Sequence, residues 1–335
     1  MKRIAVIGAG SWGTALSIVA GRAGHQVRLW SRNREVVEEV NREHVNSRYL
    51  APHAIPEQVS ATCELSEALE QAELVLLVAP SHVMRELVTR MLPSVEPQMI
   101  FVSATKGVEI ETGKRVSQVL AEVLGEHFEP RFVCLSGPSF ADEVVAGQPT
   151  AVVAASSSIR YSRLVQAELS FQNLRIYTNT DVLGTELGGS VKNVMAVAAG
   201  MVSGLGLGTN SVAALITRGL AEIARLALAE GAHMETLMGL AGMGDLVLTC
   251  TGARSRNRYV GQELGKGRVL QDILSGMKEV AEGVKTTRAV HHLAQRLNVE
   301  MPITNEVNAV LYEGKRVQEA VESLMTRPLR GEFES

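Results

Sequence analysis

Residues 3–13 read RIAVIGAGSWG, and the fold turns on how this stretch is taken. Arg3 to Gly8 is a short apolar run closed by glycine, the pattern of a strand buried inside a sheet. Gly8, Gly10 and Gly13 then follow the spacing G-x-G-x-x-G. By itself that spacing marks little more than a tight turn. Here it leaves a strand and opens a helical stretch from Gly13 to Ala23, with Gly24 as its stop signal, and that is the context in which such a turn cradles a pyrophosphate. The glycines permit the turn and a close approach of backbone to ligand, while the helix N-terminus presents N–H groups to an anion.

Working outward, the same alternation continues. QVRLWS (26–31) is a second strand and NREVVEEVNREH (33–44) a charged, exposed helix. Pro52 and Pro56 mark a loop, and AELVLLVAP (72–80) is a strongly apolar strand followed by a helix to about Leu92. MIFVSATKG (99–107) and RFVCLSGPS (131–139) repeat the pattern with a helix between them, and weaker strands are expected at 150–155 and 173–178. Strands alternating with helices predict an α/β, doubly wound, mostly parallel sheet of Rossmann type. From Asp181 onward the character changes to long helical patterns such as SVAALITRGLAEIARLALAEGA (211–232). The expectation is a dinucleotide-binding domain over residues 1–180 and an all-α substrate and catalytic domain over 181–335.

Composition narrows the function. The chain has 335 residues, 46% hydrophobic and 21% charged, with a formal net charge of −3, an ordinary globular balance with no global pull toward nucleic acid or an anionic membrane. Cys63, Cys134 and Cys250 lie far apart with no C-x-x-C, which argues for a reducing compartment, the cytoplasm, and against a disulfide framework or zinc site. No His or Cys pair has metal-ligand helical spacing, so no metal is expected. The basic, apolar N-terminus is too rich in glycine for a secretory signal, and no membrane insertion is expected. The oligomeric state stays open, a homodimer included.

Four clusters carry candidate chemistry. Where an NAD-preferring site has an acidic residue, this chain has Ser31, Arg32, Asn33 and Arg34; an arginine can pair with a 2′-phosphate, so NADP(H) should be accepted beside NAD(H). Solvated residues at a helix start are the alternative. At the strand ends, Lys106 in ATKG can aim an ammonium into the crevice, and SGPSFADE (136–143) turns into a helix with Ser139 as N-cap. In the helical half, GLAGMGDLVLTCTGARSRNRYVG (239–261) holds Asp245 and a run of Arg254, Ser255, Arg256, Asn257 and Arg258. Guanidinium forks with hydroxyl and amide donors suit a phosphate, and a carboxylate equally. The last cluster is TELGGSVKNVMAVAAG (185–200), where Lys192 stands near the start of a helix built of small apolar residues. It is either the proton carrier of a hydride-transfer reaction or a structural lysine paired with Asp245 or reaching to water.

Taken together, GAGSWGTA, ATKG, SGPSFA, LGGSVKNVMAVAAG, GLAGMGDLVLTCTGARSRNR, EGVKT and MPIT, in that order along nearly the whole chain, resemble bacterial NAD(P)-dependent glycerol-3-phosphate dehydrogenase. The resemblance implies interconversion of sn-glycerol 3-phosphate and dihydroxyacetone phosphate, supplying phospholipid synthesis. Beside Gly8, Gly10 and Gly13 of the glycine turn, it implies that Ser11, Trp12, Arg32 and Arg34 hold the cofactor, with Ala141, Val280 and Glu282 also on it. Lys106 would touch both cofactor and substrate, and Gly137 and Ser139 the substrate. Lys192 would be the proton acceptor, and Asp245, Ser255, Arg256 and Asn257 would hold the substrate, Arg256 also reaching the cofactor. Whether Asp245 orients Lys192 or a substrate hydroxyl is left open by the sequence.

Overall fold

The computed structural model describes residues 1–277, 281–329 and 331–332. The chain forms two compact units: Met1–Lys106 with Lys114–Thr185, and Gly107–Gly113 with Glu186–Ser335.

The first unit is built on one eight-stranded sheet: β1 (Arg3–Ile7), β2 (Gln26–Trp30), β3 (Val59–Thr62), β4 (Leu74–Leu77), β5 (Ile100–Ser103), β6 (Arg131–Ser136), β7 (Thr150–Ala155) and β8 (Leu174–Asn179). Their order is β3-β2-β1-β4-β5-β6-β7-β8. Every neighbouring pair is parallel except β6 and β7. The strands read as unbroken apolar runs because both sheet faces are covered. Ile4 and Val6 of β1, Leu74 and Leu76 of β4, and Ile100 and Val102 of β5 lie in one core. Ala5 and Ile7, Val75 and Leu77, and Phe101, the alternate residues, lie in the other.

One strand was not expected from the sequence, and one gives the mostly parallel sheet its antiparallel pair. β3 falls in a segment that carries no long apolar run; it is a four-residue edge strand whose main-chain bonds come from β2. β7 runs against β6, with Gly137 at φ +138° just past the end of β6. A Cβ there would stand 2.9 Å from Cα of Val152, so the close approach of the two segments needs glycine as well as the left-handed backbone.

Chain order reverses between β1 and β4, the switch point where open α/β sheets bind ligands. The G-x-G-x-x-G turn joins β1 to α1 (Ser11–Arg22) at that point. α2 (Arg34–Glu43) follows β2 and is capped by Asn33, whose side chain accepts from the amide of Glu35.

In the second unit all elements among the described residues are helical. A long helix, α4 (Val182–Gly204), follows the short α3 (Ala141–Val145) in sequence order. The further helices of concern are α5 (Thr209–Ala229), α6 (Asp245–Thr251), α7 (Arg256–Gly265), α8 (Glu282–Arg296) and α9 (Pro302–Tyr312). α4 is buried without interruption from Gly184 to Val202, which explains its all-round apolar sequence. α7 packs on it backbone to backbone. Cβ atoms at Gly200, Gly204, Gly261 and Gly265 would lie 2.0, 2.2, 1.9 and 2.4 Å from main-chain oxygens of the opposite helix. Asn193 meets Asn257, Val197 meets Gly261 and Met201 meets Gly265. The constant offset means that the two helices run parallel, with the start of α7 at the level of Lys192 in the middle of α4.

Candidate active site

In the first unit the glycine turn has the shape a pyrophosphate requires. Gly8 has φ +125°, and a Cβ on it would stand 3.0 Å from the carbonyl of Val78. A Cβ on Gly13 would collide with the Gly8 oxygen at 1.8 Å, whereas one on Gly10 meets nothing within 4 Å. Two glycines are therefore needed for packing, and the third leaves open space at the start of α1, where first-turn N–H groups lack helical partners. The Ser11 hydroxyl donates to the Tyr49 carbonyl at 2.8 Å, and Trp12 packs half-buried against the core.

Ser31 is buried, while Arg32 and Arg34 are exposed. Arg34 makes an i,i+4 pair with Glu38 at 3.5 Å, both ends open to solvent, a contact of little energetic weight. Both guanidinium groups can therefore turn toward an anion at little cost.

Lys106, Gly137 and Ser139 converge. The Lys106 ammonium donates to the Gly137 carbonyl at 3.0 Å, and the Ser139 hydroxyl donates to the same oxygen at 3.0 Å. The expectation that Ser139 caps the following helix does not hold: α3 begins at Ala141 and its N-cap is Phe140. The Gly137 turn absorbs two residues before the helix opens, and Ser139 bonds backward instead.

In the second unit Lys192 sits in the middle of α4, not near its start, and is 6% exposed. Its ammonium donates to Asp245 Oδ1 at 2.9 Å and to Thr249 Oγ1 at 2.6 Å. The Thr249 hydroxyl donates in turn to the Asp245 main-chain oxygen at 2.7 Å. Asp245 is 1% exposed. The Asp245 carboxylate thus pairs with the Lys192 ammonium.

The local chain explains this arrangement. Leu240–Gly244 forms a π-helical turn that leads directly into α6, a device that re-aims the next residue. Gly242 permits it, since a Cβ there would lie 1.9 Å from the Leu237 oxygen. Gly188, one turn before Lys192, lets the π turn approach α4, with its missing Cβ only 2.8 Å from the Ala241 oxygen.

Ser255 is the N-cap of α7 and accepts from the Arg258 amide at 3.2 Å. Arg256 is exposed at the first helical position. Asn257 donates to Asn193 Oδ1 at 3.0 Å and accepts from the Gly283 amide at 2.9 Å, so it ties α4, α7 and the first turn of α8 together. Glu282 heads α8 and is half-buried. Val280 lies outside the described residues. Cys250, beside Thr249, is fully buried, and burial pushes its thiol up to about 12, so it stays protonated and inert.

The sequence reading missed Thr249 and Asn193. Thr249 stands four residues after Asp245 on α6, the spacing that puts both on one helix face, and that signal was available. Asn193 takes part through Asn257, and nothing in the sequence marks a contact across 64 positions.

Models of NAD-dependent glycerol-3-phosphate dehydrogenase match the chain twice, the N-terminal one over residues 3–162 and the C-terminal one over residues 181–322. The glycerol-3-phosphate dehydrogenase (NAD(P)+) of Koribacter versatilis is 57% identical over 330 residues, covering 98% of each chain. That of Geobacter sulfurreducens is 51% identical over 331 residues, covering 99% of each. A crystal structure of glycerol-3-phosphate dehydrogenase from Coxiella burnetii superposes with a TM-score of 0.93 at 44% identity, over 97% of this chain and 99% of that one.

Proposed function

The chain belongs to the NAD-dependent glycerol-3-phosphate dehydrogenase family, and from that premise we propose that Lys192 is the general acid and base of its reaction. The reaction is the NAD(P)-dependent interconversion of sn-glycerol 3-phosphate and dihydroxyacetone phosphate. When bound, the nicotinamide supplies or accepts the hydride at C2.

The protein's own work is to hold both partners and to move one proton. The Gly8–Gly13 turn with Ser11 and Trp12 takes the pyrophosphate end of the cofactor, and Arg32 and Arg34 take a 2′-phosphate, so both NADP(H) and NAD(H) serve. Ala141, Val280 and Glu282 add further cofactor contacts, Val280 by resemblance alone. Lys106, Gly137 and Ser139 are assigned to substrate, and Lys106 to cofactor also. Ser255, Arg256 and Asn257 take the phosphate end, where two hydrogen-bond donors and a guanidinium meet a dianion. In ketone reduction the Lys192 ammonium donates its proton to the C2 oxygen as hydride arrives. In alcohol oxidation the amine accepts it back.

The observation that carries this reading is the Lys192–Asp245–Thr249 constellation. A buried ammonium with its rotamer fixed by a carboxylate and a hydroxyl is a positioned proton donor. In the cell we place the enzyme in the cytoplasm, supplying glycerol 3-phosphate for phospholipid synthesis; no helix among the described residues is long and apolar enough to cross a membrane. A homodimer is our reading of its assembly, supported by the exposed Met234, Met238, Met243 and Val247 of the second unit.

The test is Lys192→Ala. We expect kcat with dihydroxyacetone phosphate to fall roughly 10²- to 10⁴-fold, the usual effect of removing a general acid–base group. Binding of NADPH, followed by its fluorescence, should survive and shows that the variant is folded. Turnover at the wild-type rate overturns the assignment.

A further inference from the structure

Arg258 stands apart from the other arginines of the second unit. Its Nε is buried and has no hydrogen-bond partner, and no carboxylate or ring pairs with the guanidinium, among the described residues. Elsewhere in the unit Arg225 donates to the Glu300 carbonyl, Arg268 pairs with Glu263, Arg288 lies over the Tyr312 ring and Arg296 donates to the Thr112 carbonyl. An arginine carries five donors that cannot be neutralised by losing a proton. Leaving Nε buried without an acceptor is costly, so the position suits an anion that arrives from outside.

The helix geometry says where that anion sits. α4 and α7 run parallel in register, and their contact has two flanks. Asn193 and Asn257 point to the flank of α8, where Asn257 holds the Gly283 amide. Lys192 points to the other flank, toward Asp245 and Thr249 of α6. Arg258, the residue after Asn257, lies on the face of α7 that meets α4, its main-chain oxygen against Gly200, and its charge acts on Cys250 of α6 beside those of Lys192 and Asp245. Side chains on a helix lean toward its N-terminus. That lean favours a guanidinium at the level of Ser255 and Arg256, beside the end of α7 assigned above to the phosphate.

We propose that Arg258 is a further phosphate-binding residue, closing on the substrate dianion from the α6 flank of α7 while Arg256 approaches it from the exposed side. With Lys192 matched by Asp245, Arg258 and Arg256 together bring two positive charges to a dianion. The proposal rests on the reading of this unit as the phosphate-binding half of the enzyme.

The experiment compares wild type, Arg258→Met, Arg258→Lys and Arg256→Met at saturating NADPH, with dihydroxyacetone phosphate and with unphosphorylated dihydroxyacetone. The quantity read is the ratio of the two kcat/KM values. In Arg258→Met the preference for the phosphorylated substrate should fall roughly ten- to a hundredfold, the worth of one hydrogen bond to a charged group, and most of the change should appear in KM. Arg258→Lys keeps the charge but not the planar fork, so its loss should be smaller. Without turnover, inorganic phosphate should raise the Tm of the wild type more than that of Arg258→Met. If Arg258→Met loses both activities in equal proportion, or keeps the preference and the phosphate-induced Tm shift, Arg258 does not bind phosphate. Loss of the preference in Arg256→Met alone overturns only the role of Arg258. A wild type without any preference overturns the phosphate reading of the unit and Arg258 with it.

Discussion

Gly261→Ala should uncouple the two parallel helices that hold Lys192 and Asn257. A methyl carbon on Gly261 would stand 1.9 Å from the Val197 oxygen, 2.8 Å from its carbon and 2.9 Å from the Met201 nitrogen. A carbon–oxygen contact needs about 3.3 Å, so α7 must retreat from α4 by roughly 1.4 Å at this point. The obstacle is backbone, which has no alternative rotamer to adopt. Overpacking of this kind costs about 1–3 kcal/mol, sometimes more, against a gain of about 1 kcal/mol in helix propensity from replacing glycine by alanine. Because the clash is deep and the neighbouring contacts at Gly200, Gly204 and Gly265 loosen with it, the upper end applies, and a net loss of about 2 kcal/mol is expected. The first turn of α7 moves relative to Lys192, and a displacement of about 1 Å in a catalytic constellation costs on the order of a hundredfold in rate. Gly276→Ala is the control, since its added carbon would meet nothing closer than the Ile273 oxygen at 3.7 Å. Urea and thermal unfolding of both variants, with kcat/KM for dihydroxyacetone phosphate, make the comparison. A Gly261→Ala protein as stable and active as Gly276→Ala would refute the backbone-contact reasoning.

Glu222 gives the second unit a pH-dependent stability: it is 2% exposed on α5, accepts from the Ile303 and Thr304 amides at the start of α9, and burial pushes its carboxyl up to about 7. The folded state then holds the proton to higher pH than the unfolded one, so stability falls as pH rises from the ordinary carboxyl range to about 7. Glu222→Gln should remove that slope, at most about 3 kcal/mol, and a wild-type-minus-variant difference in urea unfolding that is equal at about pH 5 and about pH 7.5 would count against it. At the cofactor end, the double change Arg32→Ser and Arg34→Ser should raise KM for NADPH roughly tenfold or more, the worth of a lost charge-assisted contact, while KM for NADH changes little. Equal effects on the two cofactors would show that these arginines do not reach a 2′-phosphate.

The first unit was legible because its signals are local. A buried strand, a glycine turn and a helix start stand within residues 3–22, and the apolar runs at 74–77, 100–103 and 131–136 repeat the pattern. β3 was missed because an edge strand of four residues needs no long apolar run; its bonds are made by β2, and that pairing is not written in its own residues. The same limit applies to the second unit. Lys192 stood out as a charge in an apolar helix, and Asp245 as an acid after a glycine-rich turn, but their contact spans 53 positions. It depends on Gly188 and Gly242, whose importance lies in what their missing side chains allow to approach. Glycines of this kind look like helix breakers in the sequence. In the structure they are the sites of closest packing.

That packing also bears on why a charge can be kept in the middle of a buried helix. A buried ion pair is seldom a net source of stability, because desolvation consumes most of the attraction. Lys192 and Asp245 are almost wholly removed from water, so the stability of this region must come from elsewhere. The contacts of α4 with α7 and with the π turn supply it, through backbone surfaces pressed together at Gly188, Gly200, Gly204, Gly261 and Gly265. Such contacts are insensitive to the charge state of a side chain beside them. They hold the lysine rigid whatever its charge state, which is what the proton exchange proposed for it would require. A looser helix pair lined with large flexible side chains would have stabilised the unit as well, but it would have let the ammonium wander from the position that Asp245 and Thr249 now fix.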